Sequence, residues 1–236
     1  MTFRKTASIS LSIFSFFFLY SLFFYGGILE ANAKTDTKNP AVNASTPQKK
    51  WAVIDGFRSA KFGMDEKKVK RAIAKDFKIS KSKIDRKVHP IQKTLTLNVN
   101  IPDLFATGGT ACITYILGHK SKKLMHINVL WGRGAAEKVD GKDVFTTANL
   151  LRTHFLKKRY KEEGLVANGK LSDTSTMVFR GKDKKNRMIL LMLGTQLKEE
   201  GMTDEQIINS TSLVLSYLLN PDEPDVRKIV IQEDEF

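Results

Sequence analysis

Between residues 94 and 131, apolar and polar residues alternate in three consecutive runs, and this pattern constrains the fold more than any other. Residues 94–101 place Leu95, Leu97, Val99 and Ile101 on one side, with Thr and Asn on the other. A period of two over that length is a strand with one buried face and one wet face. Pro102 ends the run, Gly108 and Gly109 turn the chain, and residues 110–117 alternate again. A basic turn over residues 118–122 leads to a third run, 124–131, with Leu124, Ile127, Val129 and Trp131 as its apolar positions. Short links between alternating runs predict antiparallel neighbours.

A helix precedes these strands. Asp65 is placed as its N-cap, Glu66 falls in the first turn, and Val69, Ile73 and Phe77 recur every four residues. The opposite positions carry Lys67, Lys68, Lys70 and Arg71, so one stripe is apolar and the rest is solvated. The order predicted for this half is helix, then three antiparallel strands.

The second half repeats the theme. Val144, Ala148, Leu151 and Phe155 mark a helix over about residues 143–163, with Gly164 as its stop. Strands are expected over 174–180, 188–194 and 212–219, with a short helix before the last, capped by Thr203 with Gln206 at its third position. Lysine-rich turns, 118–123 and 181–185, join two strands in each half. The fold class read from this is α+β, built as tandem helix-plus-antiparallel-sheet units (αβββ-like, duplicated), following a signal peptide and a disordered tether. The units divide at 51–134 and 135–236.

Residues 1–33 set the expected location. Arg4 and Lys5 precede an apolar run over residues 7–29, and Ala31-Asn32-Ala33 offers small residues at Ala31 and Ala33 for signal cleavage. That run is also long enough to span a bilayer, so an uncleaved anchor is the alternative. Export to the periplasm is the expectation, with inner-membrane anchoring or secretion as variants, and with membrane contact only through residues 7–29 if the segment is retained. Residues 34–50 are polar, contain two prolines and lack periodicity, which reads as a tether.

The net charge of +14 barely changes when residues 1–33 are removed. Outside the cytoplasm it points to an acidic protein or an anionic envelope surface, phospholipid or lipopolysaccharide, rather than to nucleic acid. Two groups of residues are candidates for binding. Lys120, Lys122, Lys123, Lys182, Lys184 and Lys185 cluster at the two turns, where lysine acts as a flexible point charge towards phosphate. Trp51, Arg58 and Lys61 form an aromatic-plus-cation group beside the first helix.

No chemistry-bearing pattern stands out. The four histidines, His89, His119, His126 and His154, lack the spacing of a zinc site. No nucleophile elbow is present, and the lone Cys112 lies in a strand pattern that suggests a buried, inert thiol. No catalytic residue, metal or cofactor is therefore assigned. The expected role is a non-catalytic envelope binding or accessory protein; an envelope hydrolase with an unrecognised site and a structural domain tethered to the inner membrane are the alternatives.

The stretch Phe62-Gly63-Met64-Asp65-Glu66-Lys67-Lys68-Val69 resembles the helix start of small bacterial envelope modules. These are the SmpA/OmlA-type lipoprotein of β-barrel assembly and the β-lactamase-inhibitor-like tandem domains. The resemblance implies helices packed on antiparallel sheets and a function in binding proteins. This chain lacks the lipidated cysteine of the lipoprotein pattern.

Overall fold

The computed structural model describes residues 49–105 and 107–228. Residues 1–48, which hold the expected signal with Ala31 and Ala33 and nearly all of the expected tether, lie outside the described residues. Lys49 onward forms one compact unit.

A small hairpin of β1 (Gly56–Phe57) and β2 (Ala60–Lys61) leads into α1 (Glu66–Phe77). Asp65 caps α1 as expected, its carboxylate accepting from the Lys68 amide at 2.9 Å. Val69, Ala72 and Ile73 are buried. Lys78 then adopts the left-handed conformation, which stops the helix. The strands β3 (Asp85–Val88), β4 (Leu95–Ile101), β5 (Ala111–Leu117) and β6 (Leu124–Gly132) follow as an antiparallel meander. After α2 (Gly141–Leu156) a second meander comprises β7 (Val166–Ser172), β8 (Ser175–Lys182), β9 (Met188–Gly194) and, beyond the short α3 (Asp204–Asn209), β10 (Ser212–Leu218).

All eight strands from β3 to β10 form one sheet of order β3-β4-β5-β6-β10-β9-β8-β7. The seam is the antiparallel pair β6–β10, which sets Trp131 opposite Leu213, Val129 opposite Leu215 and Ile127 opposite Tyr217. Outward from that seam, the strands run in reverse chain order on both sides. Each meander follows a helix; α3 has no counterpart in the first. The apolar positions predicted for 94–131 form the inner face: Leu97, Ile113, Ile127 and Val129 are at most 3% exposed. Residues from α1 and α2, including Val69, Ile73, Val144 and Phe155, join them in one core. Burying each such aliphatic side chain contributes about 2 kcal/mol.

Three expectations need correction. Each meander has four strands, not three, because β3 and β7 are edge strands. Every residue of β3 is exposed, so it shows no apolar alternation to read. The second helix ends at Leu156 rather than near Glu163. Tyr160 is drawn out of the helical path into the core, its ring 5.0 Å from that of Phe179, and Arg159 pairs with the N-terminal segment instead. The expected tether bound at position 50 is also too late: the Lys50 carbonyl accepts from the Arg159 amide at 2.9 Å, so Lys50 belongs to the fold. Among the described residues no helix is long and apolar enough to cross a membrane.

Candidate interaction surface at the basic end of the sheet

Register decides where the lysine turns lie. Leu95 pairs with Val88 and with Leu117, Leu117 with Leu124, and Leu218 with both His126 and Met188; Met188 in turn pairs with Lys182. The β3–β4, β5–β6 and β8–β9 turns therefore all project from one end of the sheet, together with the end of β10. The β5–β6 and β8–β9 tips flank β10, about 15 Å apart at three strand spacings. Both predicted lysine groups are thus brought to one end of the molecule.

The β5–β6 tip is closed from outside. Asp225, far along the chain, accepts from the Lys120 amide through Oδ1 at 2.9 Å and from the Ser121 amide through Oδ2 at 2.8 Å. Its carbonyl also accepts from the His119 amide at 2.7 Å. Burial raises the Asp225 pKa, but these donors outweigh it and hold the carboxyl below its ordinary range. A side chain at position 118 would displace the Asp225 carboxylate, since a Cβ there would stand 2.2 Å from its Oδ2.

The β8–β9 tip is closed by its own carboxylate. Asp183 is 1% exposed. Its Oδ1 accepts from the amides of Lys185 (2.8 Å) and Arg187 (3.1 Å), and its Oδ2 from the Ile54 amide (3.0 Å) and Arg187 Nε (2.8 Å). Arg187 Nη2 completes the ion pair at 2.7 Å. Burial pushes this carboxyl up, yet the Arg187 guanidinium and the three amides push harder, leaving it ionised below the usual value.

Trp51 belongs to this second tip. Its ring is held between the Arg159 guanidinium at 4.6 Å and Lys184 Nζ at 4.9 Å. The expected grouping of Trp51 with Arg58 and Lys61 is not what the structure places together; among the described residues those two cations have other partners. Arg58 lies over the Phe77 ring at 4.8 Å and donates to the Asp76 carbonyl; Lys61 pairs with Asp55 at 3.0 Å. Sequence proximity misled there, because the strap from 51 to 55 runs from Arg159 and the β8–β9 tip to the β1–β2 hairpin.

The lysines differ in freedom. Lys182 pairs with Asp222 at 3.4 Å and Lys123 reaches Asp65 at 4.0 Å. Lys120, Lys122 and Lys185 are exposed and make no ion pair among the described residues. Such an arrangement presents solvent-exposed positive charge at this end of the sheet.

No described helix packs on the sheet's other face, which carries a hydrogen-bonded polar row across the seam. Thr114 donates to Asn98 Oδ1 at 2.8 Å, while Asn128 Oδ1 accepts from Ser216 at 2.6 Å and from His126 Nε2 at 2.7 Å. Burial lowers the His126 pKa to about 4, against the Asn128 bond, so the ring is neutral near pH 7. Cys112 is half-buried on that face, and burial pushes its thiol up, away from a reactive thiolate. These polar positions were visible in the sequence as the wet side of the alternation. Among the described residues no three His, Cys, Asp or Glu side chains converge to hold a metal. At the opposite end of the sheet, a polar open groove of about 660 Å³ is lined by Arg133, Gln196, Thr203 and Gln206 among others.

Comparison with known proteins finds no protein family, no curated protein and no solved structure that matches this chain.

Proposed function

We propose that this chain is an exported, non-catalytic envelope protein that binds an anionic partner through the basic end of its sheet. The observation that carries the reading is the convergence of the two lysine-rich tips on one end, with Lys120, Lys122 and Lys185 making no ion pair among the described residues. Charge concentrated on one end steers an anionic partner to that end; the same charge scattered evenly serves solubility alone. Export rests on the N-terminal sequence, the positive start, apolar run and Ala31/Ala33 exit. Duplication of an ancestral helix-plus-meander unit is part of the same reading. It is supported by the matching strand orders outward from the β6–β10 seam. A kinship with the β-lactamase-inhibitor-like tandem domains remains a proposal on those grounds.

The test is binding of the full chain to soluble polyphosphate at low and raised salt, against a variant carrying Lys120→Glu, Lys122→Glu and Lys185→Glu. Affinity that falls with salt and drops sharply in the variant supports the reading. Equal affinity of wild type and variant would place the charge effect elsewhere and reject it.

A further inference from the structure

The geometry points to an anionic phospholipid surface as the partner of this basic end. This deepens the preceding proposal and rests on it. The distinguishing observation is that large apolar side chains stand exposed at the same end as the exposed lysines. Val53 is 72% exposed and Ile91 56% exposed, values far from those of the core. Their places in the fold are fixed. Ile91 occupies the β3–β4 turn, which projects at this end. Val53 lies between Ala52, whose amide goes to the Arg159 carbonyl, and Ile54, whose amide goes to Asp183 in the β8–β9 tip. Leu219, also exposed, continues β10 between the two tips, its amide donating to the Met125 carbonyl.

Apolar side chains interspersed with lysine and flanking a tryptophan are what the boundary between headgroups and acyl chains accepts. The lysines supply attraction to anionic headgroups, about fivefold in affinity for each one near the surface. Trp51, half-buried between Arg159 and Lys184, stands beside Val53 at that boundary. A single free phosphate fits less well. The amide groups that would grip one ion at each tip are already filled by the carboxylates of Asp225 and Asp183. What is left is a spread of charges over about 15 Å, the scale of several neighbouring headgroups rather than one ion.

Trp51 gives the readout, because the chain has two tryptophans and the other, Trp131, is 0% exposed. The full chain is mixed with vesicles of brominated phosphatidylcholine, with or without brominated phosphatidylglycerol, and tryptophan quenching is followed. Residues 7–29 can attach the chain to either vesicle, so attachment alone decides nothing; quenching of Trp51 does. The expected result is quenching that needs phosphatidylglycerol, falls with salt and disappears in Trp51→Phe. The Lys120→Glu, Lys122→Glu, Lys185→Glu variant should need about 100-fold more anionic lipid. Val53→Asp should weaken quenching without loss of folding, since Val53 buries little. Quenching that is equal with both vesicles, or absent with both, overturns the inference. If it is absent while the lysine variant still loses polyphosphate binding, the lipid assignment fails and the anionic reading stands. Loss of neither would sink both.

Discussion

The β5–β6 and β8–β9 tips look alike in sequence, each a glycine-bounded, lysine-rich turn, yet they are built on opposite principles. The second carries its own keystone: Asp183 is buried and gathers amides and a guanidinium from within four residues of itself, plus the Ile54 amide from the N-terminal strap. The first has no carboxylate of its own and borrows Asp225, which lies 105 residues from Lys120. In both, a carboxylate satisfies turn amides that would otherwise depend on water. A local keystone forms with its hairpin, whereas a borrowed one arrives only when the C-terminal strap closes. The two lysine groups should therefore differ in how firmly the fold holds them.

The sharpest way to break that comparison is Asp183→Ala. It removes a buried acceptor, leaves the Arg187 guanidinium without its partner and unties the Ile54 amide. Losing one member of a buried pair costs about 3 kcal/mol or more. Urea denaturation followed by far-UV circular dichroism measures it, and a loss below about 1 kcal/mol would show that the keystone is dispensable. Acid supplies a second reading of the same group. The Asp183 carboxyl is lowered from its ordinary 3.8 in the folded state. Its contribution is complete above the unfolded pKa and is lost as pH falls through the lower folded value. Wild-type stability should decline steeply below about pH 4, and Asp183→Ala should decline less steeply over the same window. Parallel acid profiles for the two proteins would contradict this.

Why the tips could be seen in the sequence, while their closures could not, follows from range. Strands β4, β5 and β6 were legible because each has one buried face and therefore alternates, and β8, β9 and β10 because each is a largely apolar run. Edge strands β3 and β7 have little to bury; the exposed residues Asp85, Arg86, Lys87 and Val88 read as loop. The end of α2 was misjudged because residues 157–163 keep helix-forming composition. Their fate was set by Tyr160 packing on Phe179, a contact with a strand still to come. The lysines were found at the turns, but their meeting at one end depends on β10 pairing with both β6 and β9. Trp51 was assigned to its chain neighbours Arg58 and Lys61, whereas its partners Arg159 and Lys184 are more than 100 residues away. Nothing local to Trp51 announces either one.

Asp225→Ala sharpens the comparison from the other side. It removes two amide hydrogen bonds at a partly exposed site, a loss of about 1 kcal/mol, well below that of Asp183→Ala. The local effect should be larger than the global one. Amide exchange at Lys120 and Ser121 should accelerate strongly, while exchange in the Ile113, Ile127 and Leu215 core changes only by the small global loss. If core and tip amides accelerate together, the strap is part of the cooperative unit and the two tips are equally firm.

The smallest effect is expected at Asp222, and it separates charge from structure. Asp222 meets Lys182 at 3.4 Å with its side chain 64% exposed, so the pair contributes roughly 0–0.5 kcal/mol and thermal unfolding of Asp222→Asn should match wild type closely. The consequence lies in the charge left behind. Lys182 loses its counter-ion beside a tip where Lys184 and Lys185 are already positive, so polyphosphate binding at low salt should strengthen, by about fivefold at most. That gain should vanish at high salt, because an exposed charge is screened within about 3 Å at 1 M. Strengthened binding with unchanged stability assigns the β8–β9 tip a part in contacting the partner. Unchanged binding confines that part to the β5–β6 tip, whose Lys120 and Lys122 make no ion pair among the described residues, and makes the more loosely closed of the two hairpins the one that meets the anion.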